Sequence, residues 1–229
     1  KLIKRKYIPK YNGKKRPLGI PALEDKIVQK AAAKILESIY EPEFLDCSYG
    51  YRPGKGARDA VSDLTFQLQY GLFGYIVEAD IKGYFDNIDH DNLLEMMSER
   101  IDDRAFLKLI RKWLKAGILE PEGYVKHPVT GTPQGGIVSP ILSNIYLHKV
   151  LDGWFEAEVK PRLKGRAIMC RYADDWVCAF QYRDDARRFF EVLPKRLTKF
   201  GLEIAPDKTK TLRFSRFHPS RKRGRTFEF

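Results

Sequence analysis

The chain has 229 residues, of which 42 are Lys or Arg and 30 are Asp or Glu, for a net charge of +12, while 43% are hydrophobic and 13% aromatic. That length suits one large globular domain or two intertwined lobes and excludes a long repeat array, and no run approaches the ~18 apolar residues of a membrane-spanning helix. The basic residues are scattered rather than set beside one apolar stretch, so the charge points to nucleic acid as the polyanionic partner and not to a membrane surface.

Residues 1–21 read as an extended basic segment, with Ile3, Tyr7 and Ile8 before Asn12-Gly13 and Leu18 and Ile20 after it. Asn-Gly between short apolar-polar runs predicts a hairpin. From Glu24 to Tyr40, the residues Ile27, Val28, Ala31, Ala32, Ile35, Leu36 and Ile39 form an amphipathic helical stripe, with Pro42 beyond its end. A loop from Ser48 to Gly56 leads into a second helix carrying Ala57, Ala60, Val61, Leu64 and Leu68, with Gly71 and Gly74 at its end. Tyr75–Asp80 is short, β-branched and apolar, which predicts a buried strand ending in a carboxylate.

Helical patterns follow over 91–100 and 103–116, then a connecting segment runs through Pro121, Gly123 and Pro128 to Thr132-Pro133-Gln134-Gly135-Gly136. Ser139-Pro140 suits a helix start, and the helix is expected to continue through Ile141, Leu142, Ile145, Leu151 and Trp154. Strands over 166–172 and 176–181 flank Asp174-Asp175, a basic helix spans 184–200, and two short strands are expected at 202–205 and 209–214. Elements that mix without strict alternation predict an α+β fold with helices on one face of the sheet. The stretch from Arg213 to Arg225 reads as a basic loop. Cys47, Cys170 and Cys178 show no Cys-x-x-Cys spacing, which argues against a zinc knuckle or a disulfide framework and fits a reducing compartment.

Asp-Asp occurs three times. Asp102-Asp103 and Asp184-Asp185 each precede a helical stripe, where capping and the macrodipole account for them. Asp174-Asp175 instead interrupts an apolar hairpin, where two like charges repel unless a cation or proton is present; a turn-forming role is the alternative. Asp80 ends another buried strand, and a sheet pairing that strand with the hairpin would gather all three acids. Clustered carboxylates together with substrate phosphates hold Mg²⁺, and two such ions about 3.5–4 Å apart can drive an in-line phosphoryl displacement. Making and cutting a phosphodiester both use this chemistry.

Tyr172-Ala173-Asp174-Asp175 resembles the polymerase signature of reverse transcriptases, and Asp80 followed by Phe85 resembles their first catalytic motif. The stretches Arg16–Pro21, Tyr51–Ala57, Thr132–Pro140 and Gly201–Thr209 come in the order seen in group II intron reverse transcriptases, also called maturases, and the resemblance covers nearly the whole chain. It implies a right-hand polymerase fold of fingers and palm, α+β, with an antiparallel palm sheet packed on helices. Fingers are expected over 1–73 and palm over 74–229, with part of 87–130 packing towards the fingers and no thumb or other C-terminal domain.

The same resemblance implies roles. Asp80, Asp174 and Asp175 are the catalytic set, and with Ile81 they are the metal positions for two Mg²⁺ ions, which Mn²⁺ can replace. Lys10 and Arg16 match positions that grip the incoming triphosphate. Gln134, in a Gly-rich helix entry, matches the nucleotide-pocket loop, and Lys208 a position proposed to protonate pyrophosphate. Phe85 matches the ring under the incoming sugar, which leaves no room for a 2′-hydroxyl and so favours deoxynucleotides. Tyr49, Tyr51, Arg52 and Lys55 combine rings and cations as single-strand tracking requires, and Tyr172 joins them as a template or primer contact; Tyr51 and Arg52 would serve equally as buttresses. Asp86 and Glu78 are expected to be structural.

The function implied is RNA-directed DNA polymerisation with a maturase role in intron RNA binding and splicing. The alternatives are a non-catalytic RNA-binding splicing cofactor and the reverse transcriptase of a retron, diversity-generating or CRISPR-associated element. The partners implied are an RNA template, intron RNA, a DNA primer and dNTPs, without a membrane. The compartment expected is the bacterial cytoplasm; a chain opening at Lys1 with eight basic residues in its first 16 is expected to lack its natural N-terminus.

Overall fold

A computed structural model describes residues 1–9, 13 and 15–215. In chain order its elements are β1 (Ile3–Pro9), β2 (Lys15–Ile20), α1 (Leu23–Tyr40), α2 (Ala57–Tyr70), β3 (Tyr75–Ala79), α3 (Tyr84–Asn87), α4 (His90–Ser98), α5 (Arg104–Leu114), β4 (Ile118–Leu119), β5 (Val125–Lys126) and α6 (Ser139–Leu147). The helical path continues through π-helical turns at His148–Asp152 and Phe155–Val159 and a tight turn at Lys160–Arg162, before β6 (Ala167–Tyr172), β7 (Asp175–Phe180), α7 (Arg183–Thr198) and β8 (Lys210–Arg213). None of the described helices is long and apolar enough to cross a membrane. The chain divides into two compact units, one made of Lys1–Glu43 and Gly83–Tyr146, the other of Phe44–Lys82 and the chain from Leu147 onwards.

In the first unit, β1 and β2 form the expected hairpin, antiparallel from Lys4 opposite Ile20 to Pro9 opposite Lys15. Gly13 holds φ +75° in its turn, and Asn12 lies outside the described residues. These strands join β4 and β5 in a four-stranded sheet of order β2-β1-β4-β5. Its buried acid, Glu120, accepts from Arg5 Nε at 3.3 Å and from the Tyr7 hydroxyl at 3.0 Å. The stripe expected on α1 is turned from the face that packs: Gln29, Ala32, Ala33, Leu36 and Tyr40 are buried, while Ile27, Val28 and Ile35 are exposed. The packed face is set by small alanines and by Gln29, whose Oε1 accepts the Ile137 amide at 2.9 Å. Asp103 caps α5 as expected, accepting from the Ala105 and Phe106 amides.

The second unit is built on an antiparallel sheet of order β6-β7-β3-β8. Helices cover both its faces, not the one face the element order suggested. On one side Ala60, Leu64 and Leu68 of α2 cluster with Ile76, Cys170, Val177 and Ala179. On the other, Phe189 of α7 stacks among Trp154, Phe155, Trp176 and Phe180, with ring centroids 5.2–6.3 Å apart. Alternate β7 residues therefore serve opposite helices, and Trp176–Phe180 are buried without interruption, as in a strand covered on both faces. The short strand expected at 202–205 is a single bridge between Ile204 and Ile81, because the chain turns at 206–208 before β8 begins. Of the basic C-terminal stretch, residues 216–229 lie outside the described residues.

Asp185 corrects the capping reading. Its carboxylate is 1% exposed and accepts the amides of Lys164 at 3.1 Å and Gly165 at 2.9 Å while pairing with Arg188 at 2.9 Å, so it ties α7 to the loop before β6. Burial pushes this carboxyl up, but the two amides and Arg188 outweigh it and hold it below the ordinary range. A depressed pKa stabilises the fold above the unfolded carboxyl's value and is lost as pH falls through the folded one. Asp185→Ala should therefore cost about 2–3 kcal/mol near neutral pH, and urea titrations of the two proteins should converge in acid.

Candidate active site

The second unit gathers the three acids through strand register. β3 pairs antiparallel with β7, ending with Ala79 opposite Trp176, so the next residue, Asp80, stands opposite Asp175. On its other edge β3 pairs with β8 up to Glu78 opposite Lys210; the chain before β8 turns at 206–208 and meets the strand end again at the Ile81–Ile204 bridge, which sets Lys208 within reach of Asp80. Lys208 Nζ pairs with Asp80 Oδ2, and the Ala205 amide donates to the Asp80 carbonyl at 2.9 Å. Ile81, the other expected metal position, is buried and bridged to Ile204.

Ala173 and Asp174 form the two-residue turn that closes β6 and β7, and Asp175, paired with Tyr172, is the first residue of β7. Ala173 takes φ +58°, a left-handed conformation that costs a residue with a Cβ about 1–2 kcal/mol. Partial burial pushes the Asp175 carboxyl above its ordinary value, the Asp174 and Asp80 carboxylates push it further, and Lys208 opposes them. The hydrogen bond to Asp80 raises the Lys208 ammonium's pKa, the Asp80 charge adds to it and desolvation opposes it.

The donor set fits a hard divalent cation, since it is all oxygen and its like charges repel. Among the described residues no three His, Cys, Asp or Glu stand close enough to hold a metal ion alone, so a cation here would draw further ligands from outside the chain.

The turn rests on a pair that the strand pattern did not single out. Arg171 is fully buried, and its guanidinium donates to Asp152 Oδ1 at 2.8 Å and Oδ2 at 2.5 Å, to Ser48 Oγ at 2.7 Å and to the Ala173 carbonyl at 2.8 Å. Its main chain accepts from the Tyr49 amide and donates to the Cys47 carbonyl, which lays residues 47–49 along the open edge of β6. Gly50 then meets the Ala173 backbone so closely that a Cβ has no room. The signal was legible: a charge inside the apolar run Ala167–Ala173 must find a partner when buried.

Several expected template contacts face inwards. Tyr49 is buried, with its hydroxyl donating to Asp63 at 2.8 Å, and Arg52 spends its guanidinium on the carbonyls of Leu45 at 2.7 Å and Ser48 at 2.8 Å, the buttress of its two readings. Lys55 pairs with Asp46 at 2.9 Å over the Tyr49 ring. Tyr51 is exposed, at φ +57°, and Tyr172 packs half-buried against the α2 cluster. Burial pushes the Cys47 and Cys170 thiols up to about 12, so neither is a nucleophile at neutral pH.

The expected nucleotide residues other than Lys208 lie in the first unit. Arg16 Nε donates to Gln134 Oε1 at 3.1 Å, and the Gly19 amide donates to the Gln134 carbonyl at 2.6 Å. Gly135, at φ +108°, passes so near the Gly19 carbonyl that a Cβ would stand 2.7 Å from it. Phe85 is buried in α3, and its carbonyl accepts the Thr132 amide at 2.7 Å, two residues before Gln134. Lys10 lies outside the described residues.

The fold defines a class: a right-hand polymerase with an antiparallel sheet packed on helices. Telomerase of Candida tropicalis, truncated from its C-terminal domain, matches with a TM-score of 0.67 at 15% identity, over 93% of this chain and 50% of that one. The chain belongs to the reverse transcriptase (RNA-dependent DNA polymerase) family, whose model matches residues 8–226. The resemblance to group II intron proteins holds as well. The group II intron-encoded protein LtrA of Lactococcus lactis subsp. cremoris is 50% identical over 149 residues, 65% of this chain and 24% of that protein. Protein YkfC of Escherichia coli K12 is 38% identical over 204 residues, 76% of this chain and 53% of that protein. The chain thus spans from about a quarter to about half the length of these relatives.

Burial of the Asp175 carboxyl, with repulsion from Asp174 and Asp80 added, predicts a stability change. A carboxyl whose pKa is raised in the fold disfavours folding as pH rises from the unfolded value through the folded one. Asp175→Asn should raise the thermal midpoint near neutral pH by about 1–3 °C, less than 1 kcal/mol at this chain length, and scanning calorimetry should show the gain vanish in acid.

Proposed function

We propose that this protein is the RNA-directed DNA polymerase of a group II intron, copying RNA into DNA, with a maturase role in binding the intron RNA. The observation that carries the reading is the convergence of Asp80, Asp174 and Asp175 at adjoining strand ends of the sheet, within a chain of the reverse transcriptase family. The family uses divalent metal ions; here the proposed complement is two Mg²⁺, held by the three carboxylates with the Ile81 main chain and replaceable by Mn²⁺. When bound, such ions activate the primer hydroxyl and stabilise the leaving oxygen.

The chain's own residues take the other tasks. Arg16 and Lys10 supply positive charge for the triphosphate, and Gln134, held by Arg16 and Gly19, gives the pocket a fixed amide. Phe85 closes the space beside the sugar. Lys208, whose ammonium pairs with Asp80, is the proposed proton donor to departing pyrophosphate. Tyr51, Lys55 and Tyr172 remain the proposed template or primer contacts, with Tyr49 and Arg52 supporting the loop from beneath. Fingers over 1–73 and palm over 74–229 stay the proposed functional division, and RNA template, DNA primer and dNTPs are the proposed partners. A net charge of +12 supports binding to an RNA backbone.

Primer extension on an RNA template tests the reading. Extension should require Mg²⁺ or Mn²⁺, use dNTPs in preference to rNTPs, and fall at least ~10³-fold in Asp174→Asn, the scale of losing an essential transition-state contact. Phe85→Ala should narrow the preference for dNTPs by roughly tenfold or more, the worth of one filled contact in a pocket. Extension that survives in Asp174→Asn would overturn the assignment. RNA affinity should also drop steeply between 50 and 200 mM salt, about 10³-fold for some six phosphate contacts; a flat response would remove the basic surface as its cause.

A further inference from the structure

We infer that Arg171, fixed by Asp152, is a positioning residue that sets the left-handed turn presenting Asp174 and Asp175. The inference rests on the polymerase reading for its catalytic consequence, but not for its structural one.

The turn cannot hold its shape by local preference. Ala173 sits at φ +58°, where a side chain with a Cβ is disfavoured, and it is followed by two adjacent acids that repel. The hairpin register ends at Tyr172 opposite Asp175, so the strand ladder reaches only the base of the turn. The Arg171 guanidinium grips the turn itself, donating to the Ala173 carbonyl at 2.8 Å. The same planar fork is locked from behind by the two oxygens of Asp152, at 2.8 and 2.5 Å, and from the side by Ser48 Oγ at 2.7 Å. Arg171 and Asp152 are 0% and 1% exposed, so neither charge has solvent as an alternative partner. Asp152 belongs to a π-helical turn and Ser48 to the segment along β6, which means three separate stretches fix one carbonyl.

Arginine is required by geometry as well as charge. Only a guanidinium can address a carboxylate in two-point fashion and still aim a third N–H at a carbonyl; a lysine ammonium keeps the charge but lacks the fixed fork. Loss of the grip should let Ala173 leave the left-handed region and so displace Asp174 and Asp175 from their places beside Asp80, without changing any group that binds the nucleotide or the template.

The test compares the full chain with Arg171→Lys and with Arg171→Lys/Ala173→Gly, because glycine enters the left-handed region without a Cβ penalty. Amide hydrogen exchange over the peptide 168–178, which needs no activity, should quicken at least ~5-fold in Arg171→Lys beyond any change in the α5 peptide 104–114. In primer extension Arg171→Lys should lower kcat ~10–100-fold with KM for dNTP changed less than ~2-fold, and Ala173→Gly should restore kcat several-fold in the Arg171→Lys background. If Arg171→Lys does not fold, Ser48→Ala, which removes one anchor and leaves the ion pair, should give the same signature in milder form. Unchanged exchange at the turn overturns the inference, as does a loss confined to KM or a uniform loss that glycine does not repair. Wild-type protein that never extends a primer, with the exchange difference intact, defeats the polymerase reading and leaves the turn clamp standing.

Discussion

Everything proposed for the second unit depends on β3 being paired along both edges. Because β7 and β8 both run antiparallel to it, a single strand end brings Asp175 to one side of Asp80, and the turn leading into β8 brings Lys208 to the other. The carboxylates repel and the ammonium partly offsets them, so the site is electrostatically unfinished in a direction that suits added cations. A shift of one residue in either register would turn each of these side chains to the opposite face. The helices on both faces prevent that shift, because Val177 and Ala179 are committed to α2 while Trp176 and Phe180 are committed to Phe189.

Among the described residues, the buried charges of Arg171, Asp152, Asp185 and Glu120 all have partners. Arg171–Asp152, Asp185 with its two amides and Arg188, and Glu120 with Arg5 and Tyr7 each tie distant segments together. A fully buried pair such as Arg171–Asp152 adds little net stability over an apolar replacement, yet losing one partner of it costs about 3–5 kcal/mol. The contribution of the three groups here is placement: one fixes a turn, one a helix against a loop, one the strands of the first sheet. Arg52 follows the same logic with neutral partners, spending its donors on the backbone carbonyls of Leu45 and Ser48 beneath the exposed Tyr51.

Much of this was legible in the residues. The helices α1, α2, α4, α5 and α7, the hairpin of β1 and β2, and the strands around Asp174-Asp175 fall where apolar period and turn residues predict them, within a few residues. Those signals are local, carried by neighbours three or four apart in a helix and two apart in a strand. The four ordered stretches that resemble group II intron proteins are likewise sequence signals, and the family match bears them out.

By itself the sequence determined the element types, the basic character and the family, because each depends on residues near one another along the chain or on their sum. Tertiary structure alone decided the rest. It selected Gln29 and the alanines as the packed face of α1, turned Tyr49 and Arg52 inward, gave Asp185 two loop amides in place of a helix cap, and joined Arg171 to Asp152 and Ser48 across 19 and 123 residues. A buried polar group must be satisfied, but any suitable partner anywhere in the chain can satisfy it; only packing chooses which.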